Sequence, residues 1–159
     1  MDLQMTANKT YLIALDGSSH APRVLAEGAV FARATGARVV VFRAIVIPPD
    51  FSPAGAGGTL DSLPAYLEQE ARRELTALTA SILDLSYEIR VEHGIQPWQS
   101  ILAAADAVRA NLTIIGSHGY HGWDRILGTT AAKVVNLAQR NVLVVHGVEN
   151  INEGSPRDA

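Results

Sequence analysis

The sequence predicts an open α/β fold in which helices cover both faces of a parallel sheet. Five short apolar runs of strand character alternate with segments whose apolar residues recur at helical spacing. The second run is apolar almost without interruption, which is typical of a parallel strand buried on both faces. Strands that alternate with helices pair in parallel through crossover connections, so an open parallel sheet follows.

Five segments are predicted to be β-strands. They are residues 11–15, 39–47, 87–91, 112–115 and 142–145. All five lie in one predicted domain, residues 10–147. We expect residues 1–9 to be a flexible tail and residues 148–159 to be a disordered tail, because both segments are polar.

Four segments between the strands show helical periodicity. The apolar positions that define them are Val24, Leu25, Gly28, Phe31 and Ala32; Leu67, Ala71, Leu75, Leu78 and Ile82; Ile101, Ala105 and Val108; and Ala131, Val134, Val135 and Ala138. For the first helix, Ser18 or Ser19 is placed to cap the start and Pro22 fits the first turn. Gly36 is placed to end that helix. Residues 48–64 contain three prolines and three glycines before Pro64 and predict a surface loop.

The composition excludes several classes of function. The formal net charge is −3 and the chain has no cysteine, which excludes disulfides, iron–sulfur clusters and thiol catalysis. Lysine occurs only at Lys9 and Lys133, and no basic stripe is present, so we expect no nucleic-acid partner. No signal peptide or membrane-length apolar run is visible, and we therefore expect a cytoplasmic protein without a membrane partner.

A glycine-rich stretch between the fourth strand and the last helix is the main candidate site. It contains Gly116, Ser117, His118 and Gly119, and it ends at Gly128, Thr129 and Thr130. Glycines allow backbone N–H groups to approach an anion, and a helix start adds unpaired N–H groups and a partial positive charge. This arrangement predicts phosphate binding; the alternative is a tight turn without a ligand.

Other side chains near this stretch are weaker candidates for a functional role. His118, His121 and Asp124 are spaced like metal ligands, but an irregular glycine-rich loop seldom holds the convergent geometry that zinc needs, so we expect no zinc site. No Gly-Lys-Ser/Thr sequence is present to bring a lysine to the terminal phosphates. We expect Arg125 and Lys133, the nearby cations, to be solvated charges.

Asp16, directly after the first strand, is the second candidate. It could cap the helix that follows, or it could contact a ligand. Ligands of open α/β sheets bind beyond the carboxyl ends of the strands where the winding direction reverses. If the first and fourth strands are neighbours at that point, Asp16 and the glycine-rich stretch form one site.

These features resemble the ATP-binding branch of the universal stress protein family over residues 10–147. The matching residues are Asp16, Arg43-Ala44-Ile45, Gly94 with Pro97, Gly116-x2-Gly119, Gly128-Thr129 and the final Val142-Leu143-Val144-Val145. The family pattern G-x2-G-x9-G-[ST] has a spacer of nine residues, whereas residues 120–127 make a spacer of eight.

The resemblance implies a Rossmann-like fold of the adenine nucleotide alpha hydrolase type with strand order 3-2-1-4-5. It implies ATP, with Mg²⁺ on its phosphates, bound between strands one and four. The implied nucleotide-binding residues are Ala14, Leu15, Asp16, Ala44, Ile115, Gly116, Ser117, His118, Gly119, Gly128, Thr129 and Thr130, with Asp16 also a metal ligand. Ala44 would offer backbone groups to the adenine, and Ile115 would pack on the nucleotide.

The resemblance also implies a function in regulation. It implies a homodimer formed through the fifth strand, Val142–Val145, and an unknown regulatory protein partner. We expect a stress-response protein that is not a committed enzyme, with at most slow ATP hydrolysis, because no general base or phosphate-binding lysine is evident. Two alternatives stay open: a sensor of AMP or cyclic AMP, motivated by the short spacer, and an interaction module that acts without nucleotide.

Overall fold

The computed structural model describes residues 9–47, 62–117 and 127–147. In these ranges, five parallel strands form one sheet in the order β3-β2-β1-β4-β5. The elements are β1 Thr10–Ala14, α1 Ala21–Thr35, β2 Arg38–Val46, α2 Ser62–Thr79, β3 Tyr87–Gly94, α3 Pro97–Ala107, β4 Leu112–Gly116, α4 Thr129–Leu137 and β5 Asn141–Val145. The predicted fold class and strand order are confirmed. The described residues contain no helix that is both long and apolar enough to span a membrane.

Two hydrophobic clusters, one on each face of the sheet, form the core. Helices α1 and α2 pack on one face with alternate strand residues such as Ile13, Val41 and Ile114. Helices α3 and α4 pack on the other face, where Leu12 and Phe42 are fully buried. Successive residues of a strand point to opposite faces, so the nearly unbroken apolar runs in the sequence supply both clusters at once.

Helix α1 carries a glycine, Gly28, where it packs against the centre of the sheet. A Cβ at Gly28 would lie 2.5 Å from Cδ1 of Ile13 and 3.2 Å from Cδ1 of Ile114. The missing side chain therefore lets α1 contact β1 and β4 directly. The predicted inward face of this helix is wrong at one residue, since Phe31 is 42% exposed.

The ends of α1 agree only in part with the sequence prediction. Gly36 ends the helix in the left-handed conformation, with φ of 66°, as predicted. Neither Ser18 nor Ser19 is the N-cap; that residue is His20, which makes no side-chain cap hydrogen bond. The Ser18 hydroxyl instead accepts a hydrogen bond from the His20 backbone N–H at 3.3 Å, one turn before the helix.

Candidate functional site

The winding direction of the sheet reverses between β1 and β4. Strand β1 pairs with β2 on one side and with β4 on the other, and Ala14 lies opposite Ile115 where both strands end. The first and fourth strands are therefore neighbours, as the site hypothesis requires. This carboxyl edge is the place where open α/β sheets bind their ligands.

Helix α4 begins at the same edge. The backbone N–H of Gly128 donates to the carbonyl of Ser117 at 3.2 Å, which brings the start of α4 to the end of β4. The N–H of Ser117 donates to the carbonyl of Val145 at 2.9 Å and so continues the ladder between β4 and β5. The two ends of the glycine-rich stretch thus meet, while its middle, including His118 and Gly119, lies outside the described residues.

The first turn of α4 has several backbone N–H groups without an acceptor in the helix. Gly128 is the N-cap residue, and it makes no side-chain cap hydrogen bond. The first intrahelical bond runs from the Ala132 N–H to the Gly128 carbonyl at 2.8 Å. The N–H groups of Thr129, Thr130 and Ala131 precede that bond, so they have no acceptor within the helix. Such a helix start attracts anions through its N–H groups and its dipole.

The other predicted phosphate contacts have more ordinary uses in the described structure. The N–H groups of Ser117 and Gly128 donate to carbonyls of the chain itself. A Cβ at Gly116 would lie 3.2 Å from Val24 Cγ2, so the missing side chain at this position relieves packing against α1. Among the described residues, the predicted anion site is therefore reduced to Thr129 and Thr130 at the start of α4.

The predicted adenosine contacts divide between the two faces of the sheet. Ala14, Ala44 and Ile115 all belong to the hydrophobic cluster on the face that α3 and α4 cover. Ala14 and Ala44 are half-buried near the carboxyl edge, whereas Ile115 is buried. Leu15 is buried in the opposite cluster, so only its backbone is placed to contribute to a site on the α4 side.

Asp16 takes part in the turn that follows β1. Its exposed carboxylate Oδ1 accepts hydrogen bonds from the backbone N–H of Ser18 at 3.1 Å and from the Ser18 hydroxyl at 2.6 Å. This Asx-type turn organises the approach to α1. The carboxylate therefore has a structural function at the same edge where a ligand contact is predicted.

Arg43 is a residue of this edge whose structural role the sequence analysis did not identify. Its side chain is only 10% exposed, and its guanidinium donates to the carbonyls of Asp16 at 2.7 Å and Leu15 at 3.4 Å. It also pairs with Glu74 of α2. Arg43 thereby fixes the backbone that carries Asp16. The available signal was a single cation inside an otherwise apolar strand, which demands buried partners.

The described residues do not form a metal site on their own. No group of three or more His, Asp or Glu side chains among residues 9–47, 62–117 and 127–147 could hold a metal ion. Carboxylate oxygen is nevertheless a ligand that Mg²⁺ prefers, and Mg²⁺ commonly combines one or two carboxylates with phosphate oxygens. Asp16 fits that shared form of coordination.

Comparison with known proteins identifies the family. A model of the universal stress protein family matches residues 7–146. The chain belongs to this family. Its fold is the Rossmann-like fold of the adenine nucleotide alpha hydrolase type, as predicted.

Curated and solved universal stress proteins resemble the chain over most of its length. Universal stress protein A homolog 1 of Coxiella burnetii is 28% identical, and the match covers 86% of this chain and 95% of that protein. A universal stress protein of Thermus aquaticus is 34% identical, with 86% and 98% covered. A universal stress protein solved in complex with cAMP is 26% identical with a TM-score of 0.59, and the match covers 87% and 97%.

Proposed function

We propose that this universal stress protein binds an adenine nucleotide, ATP with Mg²⁺, at the carboxyl edge between β1 and β4. The observation that carries the proposal is the first turn of α4, which has no side-chain cap and lies against the end of β4. A helix start whose N–H groups have no acceptor within the helix, at the reversal point of an α/β sheet, is suited to bind phosphate. The related protein solved with cAMP supports an adenine nucleotide as the ligand class.

The proposal assigns a part of the nucleotide to each described residue. The N–H groups of Thr129 and Thr130 receive the phosphates, and Asp16 contacts the ribose or the Mg²⁺. Bound Mg²⁺ would neutralise phosphate charge at a site where the described residues offer few cations. The adenine lies on the apolar surface of Ala14, Ala44 and Ile115, with backbone groups near Ala44 at its edge. The predicted contacts of His118 and Gly119 belong to the same proposal.

We propose a regulatory function in the cytoplasm, where adenine nucleotides are abundant. Conformation or partner choice would depend on the bound nucleotide, and hydrolysis would be slow or absent. AMP and cyclic AMP are the second candidate ligands, favoured by the cAMP complex of the related protein and by the short spacer of residues 120–127. Both candidates use the same N–H groups of α4 for phosphate.

We also propose that two copies of the chain associate through β5. The two outer strands of the sheet, β3 and β5, differ in chemistry. Strand β3 carries Glu88, Arg90 and Glu92, which form ion pairs with one another. Charged edge strands resist pairing with other chains. Strand β5 has the sequence NVLVV, and exposed Phe31 lines a groove beside Leu143 and Val145. An apolar edge of this kind favours pairing across a two-fold axis.

Calorimetry with ATP, ADP, AMP and cyclic AMP, each with and without Mg²⁺, tests the proposed ligand. We expect at least one of them to bind with a dissociation constant well below about 1 mM. A dissociation constant of about 1 mM corresponds to a binding free energy of about −4 kcal/mol. Tighter binding of cyclic AMP or AMP than of ATP would favour the second candidate. Failure of all four to bind below about 1 mM would favour an interaction module that acts without nucleotide.

A further inference from the structure

Trp98 is half-buried, and its indole N–H is a buried hydrogen-bond donor that the site described above does not use. It is the second residue of α3, and it follows the end of β3 at the carboxyl edge of the sheet. The indole packs against the cluster that includes Ala14, Ala44 and Leu127, on the face that α3 and α4 cover. It therefore lies on the same face and at the same edge as the proposed adenine surface.

The indole N–H of Trp98 has no hydrogen-bond partner in the structure as described. Its Nε1 atom is inaccessible to solvent, and among the side-chain polar atoms of the described residues it alone is both buried and without a partner. Buried donors are nearly always paired, because a missing partner leaves the cost of desolvation uncompensated. Indole N–H groups in particular find a partner when they are buried. A ligand that enters on this face and displaces the groups covering Nε1 would supply the missing acceptor.

A second contact fixes the ring between the two helices. The ammonium of Lys133 lies 5.2 Å from the centroid of the Trp98 ring, a distance at which a cation and an aromatic face attract each other. Lys133 is exposed, as expected from the sequence, and it also lies over the indole ring. Since Lys133 belongs to α4, the contact ties the indole to the helix whose start is the proposed phosphate site.

We propose that the Trp98 N–H donates a hydrogen bond to a ring nitrogen of the bound adenine and so contributes to base recognition. This inference rests on the proposed function. Helix α3 contacts β2, β3 and β1, whereas α4 begins beside the end of β4, so Trp98 lies toward the base end of a nucleotide whose phosphates occupy the start of α4. Adenine offers acceptor nitrogens around its ring, and each can receive one N–H donor.

The test is a comparison of AMP with its 1-deaza, 3-deaza and 7-deaza analogues, titrated by calorimetry into the unaltered chain and into Trp98→Phe. Each analogue lacks one acceptor nitrogen. We expect the unaltered chain to bind one analogue about five- to tenfold more weakly than AMP, the range for a single neutral hydrogen bond. Trp98→Phe should bind AMP about five- to tenfold more weakly than the unaltered chain does, and it should no longer distinguish that analogue from AMP.

The comparison of AMP with its analogues in both proteins separates the effect of the hydrogen bond from the effect of packing. Any cavity that the smaller phenyl ring leaves affects AMP and its analogues alike, so only loss of the N–H removes the discrimination. Thermal melting confirms that Trp98→Phe is folded. The same discrimination in both proteins would overturn the assignment of Trp98 and leave nucleotide binding intact. Absence of AMP binding by the unaltered chain, with or without ATP binding, would overturn the assignment as well, and absence of all nucleotide binding would also overturn the proposed function.

Discussion

The backbone carbonyls of Leu15 and Asp16 both accept hydrogen bonds from the guanidinium of Arg43, which is almost completely buried. A charge in that position is tolerated because three acceptors surround it: the two carbonyls and the Glu74 carboxylate. The arginine therefore holds the end of β1, and with it Asp16, in one position. Its effect on a ligand would be exerted through that backbone.

Arg43→Met should lower the free energy of unfolding by about 2 kcal/mol, because the buried Leu15 carbonyl and the partly buried Asp16 carbonyl lose their hydrogen bonds to a charged donor. Urea unfolding measures this change. Glu74→Gln is the control: the Glu74 side chain is 46% exposed, so its loss should cost less than about 1 kcal/mol. Equal costs for the two variants would show that the ion pair, and not the carbonyl contacts, determines the stability.

At the scale of single elements, the position of α1 depends on Gly28. In most helices a glycine-to-alanine change stabilises by about 0.5–1 kcal/mol. Gly28→Ala should instead destabilise by about 1–3 kcal/mol, because the new methyl group overlaps fully buried Ile13. Thermal unfolding of the variant measures the change.

A double-mutant cycle locates the cause of that destabilisation. Ile13→Val removes the Cδ1 atom that a Cβ at position 28 would meet. Ile13→Val combined with Gly28→Ala should therefore cost less than the sum of the two single changes. Gly17→Ala serves as a control, since a Cβ there meets nothing within 4 Å. Additive costs would mean that the contact between α1 and β1 adjusts without strain.

The turn between α2 and β3 is joined to α1 by an ion pair with two hydrogen bonds. Nε and Nη2 of Arg33 donate to Asp84 Oδ2 and Oδ1 at 2.6 and 2.8 Å. The hydrogen bond from Arg33 lowers the pKa of the Asp84 carboxyl below its ordinary value of 3.8. A carboxyl whose pKa is lowered by folding stabilises the fold above its unfolded pKa, and this contribution disappears as the pH falls through the folded value.

Asp84→Asn should therefore reduce the loss of stability on acidification below pH 3.8, the range in which the unfolded carboxyl is already protonated. Urea unfolding at a series of pH values measures the slope. Because the pair is exposed, the difference should be small and should shrink at high salt. Asp106→Asn, which makes the same change in charge beside Arg140, is the control. Identical pH profiles for Asp84→Asn and the unaltered chain would contradict the expectation.

The sequence predicted the repeated elements of this fold better than their ends. Hydrophobic periodicity located all five strands and most of the inward residues of four helices, because burial of apolar side chains dominates both. Val135 of α4 is an exception, since it is 42% exposed. The cap of α1 was wrong, since the choice between Ser18 and His20 depends on the geometry of one turn. The prediction that Phe31 faces inward was wrong, because helical periodicity does not show that this part of α1 lies beside the edge strand β5, where Phe31 lines a groove.

The candidate site was predictable to the extent that topology alone places it. The order of the strands brings Asp16, Ile115 and Thr129 to one edge of the sheet. The structural roles of Arg43 and Trp98 were not predictable, because they depend on contacts between residues about 30 positions apart in sequence. Spacing also could not reveal that Gly116 accommodates Val24.

For the whole molecule, the contrast between the two edges of the sheet predicts how copies associate. Leu143→Glu places a charge on β5 and should convert the proposed dimer into monomers, measured by sedimentation velocity at micromolar protein concentration. Arg90→Ala, on the opposite edge strand, should leave the dimer intact. A monomeric unaltered chain, or a dimer that survives Leu143→Glu, would argue against association through β5.

The central claim is that main-chain N–H groups at the start of α4 bind phosphate, and proline substitution at Thr129 tests it most directly. Thr129 is the first residue of α4, where proline fits a helix, and Gly128 has the extended conformation (ψ of 156°) that a following proline requires. Thr129→Pro therefore removes one N–H without breaking the helix, whereas Thr129→Ala removes only the hydroxyl.

Calorimetric titration of ATP into both variants gives the decisive comparison. If the N–H binds phosphate, Thr129→Pro should weaken ATP by about tenfold or more, as expected for a hydrogen bond to a charged group, while Thr129→Ala changes affinity much less. Both variants should melt close to the unaltered chain. ATP affinity that is the same in Thr129→Pro and Thr129→Ala would contradict the claim.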